Sequence, residues 1–258
     1  MKVAAVQHDV VWEDRTANFE RLAPQIAAAA GTGARLVVLT EMYSTGFSLD
    51  IDAVSEPVDG PSTEFLADQA RRHGVWVCGS LPERTEGGAL PSNTLVLAGP
   101  DGERHRYRKI HPFSYAREHE RYTAGDRLVT VEVEGLRVSL FVCYDLRFAD
   151  EFWGLAPTTD LYLVPANWPE PRRFHWMALL QARAIENQAY VVAPAQGGVH
   201  PSGRRTHGHS MIVDPWGTVL ACRETGPGVV IAPVKLSEVA RVRTALPALS
   251  HRRLEGKT

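Results

Sequence analysis

A chain of 258 residues is long enough for one large domain or two small ones. Its hydrophobic fraction of 44% and charged fraction of 22% exclude bulk disorder. With 28 basic residues against 30 acidic ones, a net charge of −2 and no long run of one sign, a nucleic-acid or polyanion binder is excluded as well. Three cysteines, Cys78, Cys143 and Cys222, with no CxxC pair, give neither a disulfide framework nor a zinc ribbon or redox dithiol. The opening MKVAAVQHDV meets charge by Asp9 and lacks the apolar core of a signal peptide. No stretch approaches the roughly 18 apolar residues of a membrane span. The expectation is a cytoplasmic protein with reduced thiols and no membrane partner.

The elements are predicted in chain order from short, β-branched apolar runs alternating with amphipathic segments. Strand Lys2–Gln7 leads to a helix over Thr16–Ala30, whose Phe19, Leu22, Ile26 and Ala30 keep one face dry. Strand Leu36–Thr40 follows, then a helix over Ser62–His73, with Ser62 as its cap and Glu64 in its first turn. Strands Val75–Ser80, Thr94–Ala98, Arg104–Ile110, Leu128–Val133 and Arg137–Cys143 come next, and DLRFADEFW can start a helix. Strand Leu161–Pro165 leads to the longest helix, Phe174–Asn187, with Trp176, Leu179, Leu180, Ala184 and Ile185 as its apolar set. Strands Tyr190–Pro194, Ser210–Asp214, Val219–Cys222 and Val229–Val234 and a short helix, Ser237–Thr244, complete the pattern. DPWG, with Pro second and Gly fourth, reads as a type I turn joining two of these strands.

Both halves begin βαβαβ, without a linker between them and without a residue repeat, so residues 1–258 read as one domain with a polar tail from about 245 to 258, ending HRRLEGKT. Helices alternating with buried strands imply an α/β fold. About twelve strands is many for one open sheet, and two packed sheets covered by helices follow.

Three strand ends carry chemistry. Cys143 ends RVSLFVCYD, at the address where α/β sheets place nucleophiles, and a helix beginning just after it would help its thiol ionise. Glu41 ends RLVVLTE at the same kind of address. Lys109 lies in RYRKIHPF, on the strand parity of His105, Tyr107 and His111, before Pro112 stops the strand. Each has a plain reading too: a small buried hydrophobe, a solvated loop carboxylate, a solvated basic edge strand. Cys78, inside a strand, and Cys222, beyond a hairpin, read as structural. Together the thiol, carboxylate and ammonium suit amide hydrolysis: the carboxylate takes the thiol proton and the ammonium stabilises an oxyanion.

TEM at Thr40–Met42, YRKIHPF at Tyr107–Phe113 and VCYDLRF at Val142–Phe148 resemble, in order and spacing, the Glu-Lys-Cys signatures of the nitrilase superfamily of carbon–nitrogen hydrolases. AAVQHDVVWEDRTANFER and PANWPEPRRFHWMALLQARAIENQAYVV are similar to its usual flanks, and the resemblance runs to about Leu236. It implies a four-layer α-β-β-α sandwich, with Glu41 as general base, Lys109 as oxyanion stabiliser and Cys143 as nucleophile. A second glutamate is implied between Lys and Cys; Glu118 in YAREHERYTAG matches it, and Glu120 is the nearby alternative. The backbone N–H of Tyr144 would complete the oxyanion hole.

The wording ANWP…R…HW…LL.ARAIENQAYV most resembles the omega-amidases, and nitrile-hydrolysing members carry a C-terminal extension not seen in this sequence. This implies a small-molecule substrate, the terminal amide of a 2-oxoglutaramate- or 2-oxosuccinamate-type acid. It also implies no cofactor, no metal, and a homodimer paired across the nucleophile-side helices. Asn167 and Trp168 of ANWP are expected to bind substrate. Arg172 is expected to hold its carboxylate, with Arg173 as the alternative and a solvated loop arginine as the plain reading of either. His200, His207 and His209 in GGVHPSGRRTHGHS lack a carboxylate at ligand spacing and read as a loop rimming the pocket. Three readings compete: an N-carbamoyl acid or aliphatic amidase, a Cys–His hydrolase with His111 as base, and a binding module on an inactive scaffold.

Overall fold

The computed structural model describes residues 1–85 and 87–253. Its strands are β1 (Lys2–Gln7), β2 (Ala34–Val38), β3 (Glu56–Pro57), β4 (Trp76–Arg84), β5 (Ser92–Ala98), β6 (Arg104–Arg108), β7 (Thr130–Val133) and β8 (Leu136–Leu140). The second half adds β9 (Leu161–Leu163), β10 (Tyr190–Ala193), β11 (Gly197–Val199), β12 (Arg205–His207), β13 (Ser210–Val213), β14 (Val219–Arg223) and β15 (Gly228–Pro233). The helices are α1 (Arg15–Gly31), α2 (Ile51–Val54), α3 (Pro61–His73), α4 (Ala149–Leu155), α5 (Arg173–Asn187) and α6 (Leu236–Ala245).

Each expected strand is present; β3 and the β11–β12 hairpin were not foreseen. One sheet runs β15-β1-β2-β4-β5-β6 with β3 on β4, the other β14-β13-β10-β9-β8-β7. At the centre of each lies a parallel trio, β1/β2/β4 and β8/β9/β10, joined by helical crossovers. This is the repeated βαβαβ order of the two halves.

Side-chain alternation builds the layers. Val3, Ala5, Leu36, Val38, Cys78, Leu95 and Leu97 point between the sheets and pack with Val138, Leu140, Leu161 and Leu163. Their neighbours Ala4, Val6, Val37, Val77 and Val96 point the other way, against Leu22 and Ile26 of α1 and Leu66 and Ala70 of α3. Trp176, Leu180 and Ala184 of α5 and Phe152 of α4 close the far side. The architecture is an α-β-β-α sandwich with Cys78 in its central core.

Some local readings need correction. Helix α3 starts at Pro61 after Gly60, so Ser62 is no cap; its N–H goes to the Glu56 carboxylate at 3.1 Å. Ile185 is 55% exposed, because Trp176, Leu180 and Ala184, four residues apart, already define the inward row. Arg104 and Arg106 of edge strand β6 are not simply solvated: Arg104 pairs with Asp59 and Glu64, and Arg106 with Asp59 and Glu83. The expected tail is placed through Arg253, with a 3-10 turn at Ala248–His251 and Arg252 stacked 3.5 Å above Trp153; residues 254–258 lie outside the described residues. Among the described residues no helix is long and apolar enough to cross a membrane.

The end of β6 is clamped from outside. The Gly125 N–H donates to the Lys109 carbonyl at 2.8 Å, and a Cβ on Gly125 would lie 2.1 Å from the Arg108 carbonyl oxygen. Gly125→Ala should therefore push this strand end aside. We expect a loss of about 1–3 kcal/mol, read as a fall of several degrees in the thermal midpoint. A parallel fall in activity should follow, because Lys109 is joined to the displaced Arg108 carbonyl and loses its own bond from Gly125.

Candidate active site

The three strands that lead to Glu41, Lys109 and Cys143 leave their ladders before reaching these residues, yet their paths stay fixed. Leu39 N–H bonds the Cys78 carbonyl at 2.7 Å, Lys109 N–H bonds that of Asn93 at 2.9 Å, and Cys143 N–H bonds that of Pro165 at 2.9 Å. Met42, just after Glu41, and Cys143 itself have φ of +46° and +49°, a left-handed conformation costing an ordinary residue on the order of 1 kcal/mol. These turns throw the Glu41 carboxylate and the Cys143 thiol inward from the strand ends.

The nucleophile turn is held by side chains. Asp145, 1% exposed, accepts from Val142 N–H at 2.9 Å, Tyr107 Oη at 2.8 Å and His111 N–H at 2.9 Å. Its Oδ1 also meets His111 Nδ1 at 3.0 Å. From α5, Arg183 donates to the Leu146 carbonyl through Nη2 at 2.7 Å and Nε at 3.2 Å. The turn after Cys143 is 3-10 over Cys143–Arg147.

Lys109, 1% exposed, reaches Glu41 Oε1 and Glu118 Oε2, each at 2.8 Å. Both carboxylates are fully buried, so the solvated-loop reading of Glu41 fails. Asn93 Nδ2 bridges them, donating to Glu41 Oε1 at 2.9 Å and Glu118 Oε1 at 3.0 Å. Glu41 Oε2 accepts from Asn167 N–H at 2.8 Å, and Glu118 Oε2 from Phe113 N–H at 2.5 Å. Gln196 donates to the Glu41 carbonyl at 2.8 Å and accepts from Asn167 Nδ2 at 2.6 Å.

Burial works against the Lys109 cation, but Glu118 and Glu41 together outweigh it and hold its pKa well above the ordinary lysine value. Burial pushes the Glu118 carboxyl upward against the pull of Lys109. Burial, seconded by Glu41, pushes the Cys143 thiol well up, with Lys109 opposing. The expected help from a helix start does not prevail: burial and Glu41 hold the group toward its thiol form.

Sequence expectations sort cleanly against this geometry. Glu118 joins the cluster, whereas Glu120 is on the surface with Arg117 at 2.7 Å. Lys109 makes no hydrogen bond to Cys143 among the described residues, though its charge acts on the sulfur. His111 is committed elsewhere, stacked 3.6 Å from Phe148 between Asp145 and Glu151. A narrow recess opens at the thiol, lined by Phe113, Tyr144, Arg147, Asn167, Trp168 and Arg172 among others. Trp168 Nε1 holds the Arg172 carbonyl at 2.8 Å, whose guanidinium lies 5.2 Å from the Phe113 ring. Arg173 instead lies over Phe174 and lines a separate hollow with His207 and His209. Sequence reasoning missed Asn93, Gln196, Asp145 and Arg147. Arg147 stacks 5.0 Å from Trp168 and, like Arg172, has no carboxylate within 4.0 Å among the described residues. Burial first, then Arg147, lowers the pKa of Arg172.

The sequence model of the family described as carbon-nitrogen hydrolase matches residues 2–244. The chain belongs to this family. It is 36% identical over 250 residues to Omega-amidase YafV of Escherichia coli (strain K12), covering 96% of this chain and 95% of that protein. It is 34% identical over 251 residues to 2-oxoglutaramate amidase of Bacillus subtilis (strain 168), covering 95% of each. The crystal structure of XC1258 from Xanthomonas campestris, described as a CN-hydrolase superfamily protein with an arsenic adduct in the active site, superposes with a TM-score of 0.93. It shares 33% identity over 98% of this chain and 97% of that one.

In this hydrolase, removing Lys109 would strand two buried carboxylates. Lys109→Met should cost about 3–5 kcal/mol of stability. Glu118 already holds its proton more tightly than an ordinary glutamate and would do so more without the lysine. Protonation then relieves the stranded charge, so the deficit should shrink as pH falls from about 8 to about 5. Urea unfolding at both pH values measures it; a deficit independent of pH would show that the carboxylates are not what the lysine holds.

Proposed function

We propose that this chain hydrolyses the terminal amide of a small 2-oxo acid amide, of the 2-oxoglutaramate or 2-oxosuccinamate type, to acid and ammonia through a Cys143 thioester. The observation that carries this reading is the buried Lys109–Glu41–Glu118 cluster beside the Cys143 thiol, near a recess that holds two arginines without carboxylate partners among the described residues. The names of the Escherichia coli and Bacillus subtilis relatives support the same substrate class.

In the proposed reaction Glu41 takes the thiol proton as sulfur bonds the amide carbon, and the carbonyl π pair moves onto oxygen. Lys109 and the Tyr144 N–H, at the start of a turn where N–H groups lack partners within it, stabilise that oxyanion. The pair returns, the C–N bond breaks, and Glu41 passes its proton to the leaving nitrogen, which departs as ammonia. Water then attacks the thioester; Glu41 takes a proton from the water and delivers it to sulfur as the acid leaves. Glu118 shares Lys109 with Glu41 and keeps it charged.

The recess supplies orientation. A guanidinium meets a carboxylate with two parallel N–H bonds, and a second guanidinium nearby suits an adjacent 2-oxo oxygen. Arg172 is the proposed carboxylate clamp, Trp168 positions it, and Asn167 joins the recess to Glu41. The same reading makes the protein a cytoplasmic homodimer needing no cofactor, and its mass in solution tests the dimer directly.

Site-directed variants and a substrate screen test the assignment. Cys143→Ala should lose activity by several orders of magnitude, while Cys78→Ala and Cys222→Ala keep most of it. Glu41→Gln should likewise abolish turnover and His111→Asn should not; an active Cys143→Ala enzyme would end the mechanism. Ammonia release should be fastest with 2-oxo acid amides, ahead of N-carbamoyl acids, simple aliphatic amides and nitriles. Arg172→Ala should raise KM for the acid amide strongly and alter turnover of a small uncharged amide little. Preference for N-carbamoyl acids, or equal losses on both amides, would overturn the substrate assignment.

A further inference from the structure

We infer that Asn93 is a positioning residue that decides which oxygen of Glu41 carries the transferred proton. This rests on the Glu41–Lys109–Cys143 reading above. Asn93 lies in β5, 1% exposed, and does not line the recess at the thiol. Its Nδ2 has two hydrogens and gives one to Glu41 Oε1 at 2.9 Å and one to Glu118 Oε1 at 3.0 Å. The reversed amide would set a carbonyl oxygen against two carboxylates, so the orientation follows from charge.

A carboxylate oxygen offers two lone-pair sites. On Glu41 Oε1 both are filled, by Asn93 and by Lys109 Nζ at 2.8 Å. On Oε2 one is filled by Asn167 N–H at 2.8 Å. The open site lies on Oε2, and Cys143 Sγ, 3.9 Å from the Asn167 carbonyl, sits beside the residue whose N–H bonds that same oxygen. The thiol proton therefore lands on Oε2 and stays there, ready for the leaving nitrogen. Without the Asn93 amide, Oε1 gains a vacant lone pair and the proton can settle on the far oxygen, where it cannot reach nitrogen. Asn93 Oδ1 is itself buried without a partner among the described residues. An asparagine kept at that cost is kept for its two donors.

The test separates taking a proton from giving it back. Alkylation of Cys143 by iodoacetamide needs the thiol proton removed and nothing returned, whereas amide turnover needs the proton delivered to nitrogen. Asn93→Leu should lower kcat on the amide about tenfold or more, with KM and the alkylation rate each within about threefold of the parent. Equal losses in turnover and alkylation, or no loss in either, would overturn the inference.

Asn93→Asp keeps the size, removes both donors and decides the matter if the leucine variant fails to fold. The groups facing this position are Glu41, Glu118 and Lys109, with Cys143, Tyr122 and Arg121 beyond them. Beside two buried carboxylates the new carboxyl favours its neutral form, which regains one donor as pH falls. Its activity relative to the parent should climb from about pH 8 to about pH 6, and a flat ratio would count against the inference. Cys143→Ala keeps the two ideas apart. If that variant stays active, the nucleophile assignment fails; if it is dead and the Asn93 variants behave like the parent, only the role of Asn93 fails.

Discussion

The site depends on one buried cation. Lys109 stands between two fully buried carboxylates, and none of the three would be tolerable there alone. Desolvating an ionised group costs several kcal/mol, recovered only when geometry and extra hydrogen bonds are good. Here they are. Lys109 spends two of its donors on Glu41 and Glu118, while Asn93, Asn167 N–H and Phe113 N–H fill other acceptor sites. Burial first, then the Glu41 carboxylate, opposes ionisation of the adjacent thiol, with Lys109 working the other way. In the proposed mechanism a thiol raised in this way gives up its proton to Glu41 as it attacks. Oxidation and adventitious alkylation, which follow thiolate character, are restrained by the same charges.

The sandwich exists to bring these groups together from distant stretches of chain. Glu41 follows β2 and Lys109 follows β6, both in one sheet, while Cys143 follows β8 in the other. Only face-to-face packing of the two sheets sets the thiol opposite the carboxylate. The second sheet delivers Asn167 as well, whose N–H crosses to Glu41 at 2.8 Å. The inter-sheet core of Val38, Leu95, Leu140 and Leu163 is therefore the spacer that fixes the sulfur–carboxylate distance. The left-handed turns at Met42 and Cys143 are the last adjustment, costing little against a core of that size.

What the sequence disclosed follows from how each feature is encoded. Buried parallel strands write themselves as unbroken apolar runs, and Lys2–Gln7 is found with the bounds expected of it. The ends were harder, because β2, β6 and β8 each stop ladder pairing before the residue that matters while their N–H groups go on bonding. The β11–β12 hairpin, GGV against RTH, is too short and too polar to announce itself. Glu41 and Cys143 stood out as polar groups ending apolar strands, Lys109 lay in a basic strand end whose plain reading was a solvated edge, and family likeness singled out Glu118. Their supports did not, because each is defined by a partner far along the chain. Asn93 meets Glu41 across 52 positions, and Gln196 meets it across 155. The one local signal for Asn93 was a polar SNT opening an otherwise apolar strand. Arg147 looked like a surface residue after the motif until its neighbours Trp168 and Arg172 were in place.

The two ends of the recess differ in electrostatic character, and the difference bears on the proposed orientation of substrate. At the thiol, burial and Glu41 disfavour added negative charge. At the far side Arg147 and Arg172 lie close enough for one to depress the other. An anionic group entering this field is repelled from the Glu41 end and drawn to the arginines, where it relieves their mutual repulsion. The neutral amide of the same molecule pays no such penalty beside Glu41 and Glu118. For the acid amide proposed as substrate, this field favours one direction, with its carboxylate at the arginines and its amide carbon toward Cys143. A neutral amide of equal size gains neither the orientation nor the relief. In the proposed function selectivity for acid amides would thus arise from the charge arrangement of the whole recess, and Trp168, which holds the Arg172 carbonyl at 2.8 Å and stacks on Arg147, keeps that arrangement in place.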